Sequence, residues 1–301
     1  MAELTQVDHH EFPAPHIQAC GVVLVVNAED QTIRAASNNS GELLGVAHGA
    51  LLGQALETLI GADALAALQQ RAREGQPWLE EVQVGGQSQA FQLSLGEYKK
   101  TWLVELEPAE GLRGLSGPTE RYLNRIQLSS DIEEASLALM EAVHELLGCE
   151  RAFFADVDGN DFIEVHHEVL KDKSAPSLIG EHAPCDAVAE RSVHHHSPRH
   201  AIPESIVGPN DGFQVPLQSI LTVIRDTKPT LAKVLPEPGD EDLAVLWDAS
   251  LSLEGSQAYE HLREQGVQAC LRVILRARMR AICFIECHFS EPLALNAEAK
   301  A

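Results

Sequence analysis

The densest group of donor side chains is the stretch 192–200, SVHHHSPRH, which places His194, His195, His196 and His200 in one short segment. Imidazole nitrogens bind Zn2+ and other borderline metals. His194 and His200 have a loop spacing that suits such a site, and His182, Cys185 or Asp186 would supply further ligands. Metal sites also need a second shell that orients the ligands, and none is legible here. The segment therefore reads as a hydrated loop, with a metal site as the alternative. Haem held by His182, His194 or Cys287 is a further alternative, unsupported by any attachment motif. The acidic run DVDGND (156–161) lacks the full Ca2+ loop pattern and its closing Glu, so it reads as an exposed turn. His166, His167 and Glu168 are consecutive, and consecutive strand residues face opposite ways, so they do not define an acid–base pair. No phosphate loop, zincin helix or serine-hydrolase elbow is present.

The six cysteines form no CxxC pair and no disulfide framework. A reduced, cytoplasmic compartment is the expectation. A net charge of -23, from 45 acidic and 22 basic residues, repels a phosphate backbone, so nucleic-acid binding is not expected. The basic strip RVILRARMR (272–280) reads as a strand whose side chains alternate between core and solvent. No apolar run is long enough to cross a membrane. The opening MAELTQVDHHEFP does not have the pattern of a signal peptide.

These residues must be positioned by a recognisable order of elements. IQACGVVLVVN (17–27) begins as a polar turn and becomes an apolar strand, and NAEDQTIRAAS adds a turn and a second strand. Residues 43–72 read as several short helices interrupted by glycine. Residues 82–110 read as three strands joined by a Gly-Gly turn and by Gly-Glu-Tyr-Lys-Lys. That order suits an α+β domain with a central antiparallel sheet. GLRGLSGPT (111–119) breaks the pattern. The next stretch carries helical periodicity from Leu123 to Leu147, with Asp131 placed to cap a second helix. Its apolar face packs on its own domain or forms a dimer bundle, and these are not exclusive. RAFFADVDGNDFIEVHHEVL (151–170) reads as two strands around a turn. Residues 183–247 read as irregular, with long loops, and 230–246 begins as a strand or helix that breaks at its prolines. Residues 253–267 read as a helix ending near Gly266. Residues 268–289 supply two closing strands.

In this order the segments resemble the bacteriophytochrome PAS–GAF photosensory family. IQACG before an apolar strand resembles the Ile-Gln-Pro-His-Gly opening of the phytochrome PAS domain. RAFFADVDGN resembles the first GAF strand, LREQGVQACLRVIL the Leu-Arg-Asn-Met-Gly-Val segment, and AICFIECHFSEP the last GAF strand. The resemblance covers about residues 10–292. It implies an α+β fold, a PAS domain followed by a GAF domain, with antiparallel sheets and flanking helices. The implied layout is a PAS-like domain with its N-terminal segment at 1–112, a linker at 113–123, a GAF-like domain at 124–292 and a tail at 293–301. It also implies a knot in which the N-terminal segment threads a GAF loop near Ile17.

The family's bilin chemistry is not matched residue by residue. Relatives attach biliverdin through a cysteine upstream of the Ile-Gln motif, and residues 1–16 contain none. Cys20 takes the histidine's place within the motif. HAPCDAVAE (182–190) matches the Pro-Ala-Ser-Asp-Ile-Pro segment, so Asp186 retains the aspartate and Cys185 places a thiol beside it. Ala258 stands at the pocket histidine and supplies no ring nitrogen. His261 replaces a nearby tyrosine, but three residues further along a helix points roughly 60° away. Ser252 stands where a propionate-binding arginine is expected and lacks its guanidinium fork. Cys287-His288 is kept, while the second histidine becomes Phe289, which could fill the outer-ring space.

The expectation is a non-enzymatic, phytochrome-like sensory or regulatory module without covalent biliverdin. It would act as a homodimer with a signalling partner protein, or through another small ligand. No cofactor is expected. The alternative is a bilin-binding photoreceptor with an unusual or noncovalent site built from Asp186, His261, His288, Cys185 and Cys20. A haem or metal sensor is a further alternative. Only SEPLALNAEAKA follows Phe289, so no kinase core is expected within these residues.

Overall fold

The computed structural model describes residues 16–74, 78–84, 88–109, 116–157, 162–184, 217–239, 242, 245–246, 249–252, 256–277 and 280–294. The N-terminal part contains β1 (His16–Gln18), β2 (Val22–Asn27) and β3 (Ile33–Ser37), then the helices α1 (Ser40–Leu43), α2 (His48–Leu51), α3 (Leu56–Ile60) and α4 (Ala62–Arg73). Strands β4 (Trp78–Gln83), β5 (Ala90–Tyr98) and β6 (Thr101–Pro108) close this part. The run VVLVV of β2 (residues 22–26) is apolar throughout because both of its faces are covered. Val22, Leu24 and Val26 pack with the short helices. Val23 and Val25 face Ile17, Ala232, Val234, Leu246 and Leu251 on the opposite side.

The C-terminal part begins with α5 (Ser116–Gln127) and α6 (Ile132–Leu147). The side chain of Asp131 accepts the Glu134 N–H at 2.8 Å, and Glu134 accepts the Ser130 N–H at 2.9 Å, which splits the long helical stretch in two. Gly148 ends α6 in the left-handed conformation at φ 66°. Helices α5 and α6 form an antiparallel hairpin, with Arg121 on Glu145 at 2.8 Å and Arg125 on Glu141. Residues 116–123, placed by the sequence in a linker, are already helical.

Strands β7 (Arg151–Val157), β8 (Phe162–Leu170), β9 (His182–Pro184), β10 (Leu217–Ile224), β11 (Leu231–Leu235), β12 (Ala269–Ala277) and β13 (Arg280–Phe289) follow, with α7 (Ser256–Glu264) before β12. The second sheet has the order β10-β12-β13-β7-β8-β9, antiparallel throughout. The expectation of an irregular segment over 183–247 is corrected here. LQSILTVI is a strand paired along its whole length with β12. Its Pro-, Gly- and His-rich surroundings hid an eight-residue strand in which five residues are apolar.

Strand β11 does not join that sheet. It enters the N-terminal one, whose order is β1-β11-β3-β2-β6-β5-β4. Its LAKVL pattern points Ala232 and Val234 inward against β2 and exposes Leu231. Ile17 pairs with Ala232 and, on its other side, bridges to Ser252. The strand around Ile17 thus lies between two limbs of the excursion from 225 to 252, at the position where the resemblance implies the crossing.

Candidate functional site

Antiparallel pairing fixes which side chains of the second sheet share a face. Cys270 lies opposite His288, Arg272 opposite Glu286, and Ile274 opposite Phe284. Alternation then puts Cys270, Arg272, Phe284, Glu286 and His288 on one face, joined by Phe153 from β7. The other face carries Leu271, Ile285, Cys287 and Phe289, which pack with Met140 of α6.

The first face holds a buried polar group. Arg272, Glu286 and His288 are 8%, 5% and 5% exposed. Arg272 Nε donates to Glu286 Oε2, and His288 Nε2 lies 2.7 Å from Glu286 Oε1. Burial alone would raise the Glu286 carboxyl, but the Arg272 guanidinium and His288 override it and hold the group down at about 2. Glu286 is therefore ionised and has no proton to give, so His288 Nε2 is the donor. The His288 ring stands edge-on to Phe153, with centroids 5.5 Å apart at 85°. Phe153 meets Phe284 in the same manner at 5.9 Å. Cys270, Ile224 and the α7 residues Tyr259 and Leu262 form an adjoining buried cluster.

The sequence-predicted site residues divide sharply. His288 is buried on this face. His261 is exposed on α7 and lies 2.9 Å from Gln265 Nε2, so it does not stand in for an inward-facing tyrosine. The buried aromatic of α7 is Tyr259. Cys20 is exposed in the turn after β1. Cys185 and Asp186 lie outside the described residues, as do His194 and His200. Ser252 is buried, with its backbone carbonyl accepting from Gln18 Nε2 at 3.3 Å, so it belongs to the junction between the two sheets. Phe289 faces α6 and does not fill space beside His288. Cys287 shares that side, and hydrogen bonding with Cys149 together with burial raises its thiol well above the ordinary range. That makes it a poor axial ligand for haem.

Sequence reasoning missed three groups. Arg272 opens the strip that reads as alternating between core and solvent, and it falls on the buried side, where it pairs with Glu286. Glu286 lies two residues before His288, and the polar spacing in FIECHF within an apolar strand was the available signal. Gln18 is 2% exposed and ties the junction. Its Nε2 donates to Val223 O at 2.8 Å, and its Oε1 accepts the Arg225 N–H at 2.7 Å. Beside it, Arg225 pairs with Glu107 in a buried ion pair.

The comparisons with known proteins agree with this architecture. The family model described as PAS fold matches residues 12–109. The chromophore-binding domain of Stigmatella aurantiaca phytochrome P1 superposes with a TM-score of 0.74 at 21% identity, covering 94% of this chain and 90% of that one. The chain is phytochrome-like in fold. The chromophore-binding domain of the unusual bacteriophytochrome RpBphP3 from R. palustris gives a TM-score of 0.74 at 19% identity, with 95% and 89% covered. Against the S. aurantiaca photosensory core module the TM-score is 0.77 at 22% identity, covering 99% of this chain and 57% of that module. No curated protein matches the sequence. Within this phytochrome-like architecture, the paired β12–β13 face belongs to the GAF sheet, and β11 is the GAF strand lent to the PAS sheet. No helix among the described residues is long and apolar enough to cross a membrane.

Proposed function

We propose that this chain is a non-enzymatic sensory or regulatory module of phytochrome-like architecture that does not attach biliverdin covalently. It responds instead to another ligand or to a partner protein. The observation that supports this most strongly is the internal pairing of Arg272, Glu286 and His288. The guanidinium and imidazole that could address a ligand carboxylate are engaged by the chain's own carboxylate. Cys20 is in an exposed turn, and Ser252 serves the junction. The signal would act by favouring one arrangement of the GAF sheet and the α5–α6 hairpin. That hairpin exposes Leu123, Leu128 and Leu137, and it is the surface we assign to a homodimer. The competing reading, a noncovalent bilin held by Asp186 and His288, draws on the inward position of His288.

The test is coexpression with a biliverdin source, followed by the visible spectrum and the mass of the denatured protein. A protein without a red-absorbing band and with unmodified mass is expected. A photoconverting adduct would refute the reading. Sedimentation of Leu128→Glu against the parent tests the dimer: the parent should sediment as a dimer and the variant as a monomer.

A further inference from the structure

We propose that Cys270, Glu286 and His288 form a binding site for a thiophilic divalent cation of the Zn2+ type. The donor atoms of all three lie within 4.8 Å of one another, and all three residues are buried. Thiolate, imidazole and carboxylate are the three donor types that zinc accepts, and three protein ligands leave a fourth position open. With zinc–ligand lengths of roughly 2.0–2.3 Å, tetrahedral donors stand about 3.5 Å apart. The widest donor pair therefore has to close by no more than roughly 1.3 Å to surround an ion. The backbone is already in place, because Cys270 and His288 are directly opposed across the β12–β13 ladder and Glu286 is the next residue on that face.

The surroundings suit such a site. Ligating carboxylates are commonly hydrogen-bonded from outside, and Arg272 Nε already holds Glu286 Oε2. That leaves Oε1, the oxygen now facing His288, directed at the cluster. Phe153 fixes the plane of the His288 ring. The proton balance is simple. The Cys270 thiol gives one proton to solvent, and His288 gives up its Nε2 proton, so that Nε2 becomes a ligand while Nδ1 carries the N–H of the ring. A thiolate and a carboxylate then neutralise the dication, and the positive charge of Arg272 remains outside the first shell. Two hard oxygens would favour Mg2+ or Ca2+, whereas the sulfur and nitrogen donors select Zn2+ and Co2+.

This inference rests on the reading that the His288 face is not engaged by a bilin, but the two fail separately. Metal-free, reduced protein is titrated with Co2+, whose coordination by thiolate gives a charge-transfer band in the near ultraviolet. A saturable band of one equivalent, displaced by Zn2+, is expected. Cys270→Ser should lose it and weaken Zn2+ binding by more than the roughly 10–100-fold that loss of an outer partner causes. His288→Gln should weaken binding comparably, and it provides the test if Cys270→Ser does not fold. Cys20→Ser and Cys185→Ser should retain the band. Absence of the band from the parent, or its persistence in Cys270→Ser, would overturn the site. Binding through the histidine-rich stretch would give cobalt absorption without the thiolate band, and would also overturn it. A bilin adduct in a protein that still gives the Cys270-dependent band would refute the proposed function and leave this site standing.

Discussion

Replacing Glu286 by Gln removes the carboxylate that joins Arg272 and His288 in the buried group, and with it the Arg272–Glu286 ion pair. The carboxyl is held at about 2 against an ordinary value of 4.5, even though burial acts in the opposite direction. That difference corresponds to about 3 kcal/mol of preferential stabilisation of the ionised form in the folded state. The figure agrees with the roughly 3–5 kcal/mol expected when one member of a buried pair is removed. A carboxyl with a depressed folded-state value contributes its stability above the unfolded value, and that stability is lost as pH falls. Here the window runs from about 4.5 down to about 2. The assay is hydrogen exchange of the β12 and β13 amides at neutral pH, which reads this sheet without requiring the two domains to unfold together. Glu286→Gln should speed exchange roughly hundredfold, and it should remove this group's share of the acid sensitivity. Adding Arg272→Met to Glu286→Gln should recover part of the loss, since the guanidinium that lost this carboxylate is then gone. The reasoning is refuted if Glu286→Gln costs less than about 0.5 kcal/mol, or if the double variant is as unstable as the single one.

Three further outcomes follow from the junction and the helix cap. A Cβ on Gly21 would lie 2.8 Å from the carbonyl of Leu106 and 2.7 Å from Leu251 Cδ1, so Gly21→Ala should cost about 1–3 kcal/mol and raise the rate of proteolysis within 225–252. Gln18→Leu leaves the buried Arg225 N–H without its acceptor and should lower stability by about 1–3 kcal/mol in urea unfolding, with faster exchange at the Arg225 amide. Asp131→Ala removes the α6 cap and should cost about 1 kcal/mol, lowering the melting temperature by a few degrees without changing any spectrum of a bound metal.

Much of this architecture was legible in the sequence because it is written in local patterns. The apolar run of β2, the Asp131 cap and the paired strands around 268–289 all follow from periodicity and capping chemistry. What was not legible depends on partners distant in the chain. LQSILTVI looked like part of a loop because its pairing partner, β12, lies some fifty residues further on. The LAKVL strand could be read, but nothing in its own residues says that it joins the other sheet. The side of the strand that Arg272 takes was not legible for a related reason. A charged residue on a strand normally faces solvent, and the cross-strand position of Glu286 favours its burial here. Phe289 was placed by analogy beside a ligand, whereas strict alternation from His288 sends it to the α6 side. Gln18, in the N-terminal motif, shows its role only when Val223, Arg225 and Ser252 surround it.

The same long-range pairing links the candidate site to the domain junction. Ile224, the last residue of β10, lies opposite Cys270, and Thr222 lies opposite Arg272. Arg225 follows immediately, with its N–H on Gln18 and its guanidinium on Glu107 of the PAS sheet. The paired face and the inter-sheet anchor are thus one strand and one residue apart. Strands in register move together because shifting one by a residue reverses the facing of every side chain. A ligand that pulled Cys270 toward His288 would act on β12 between β13, which carries the ligand partners, and β10, which carries the anchor. That placement gives a sensory module of this fold a short mechanical route from the GAF sheet to the PAS sheet.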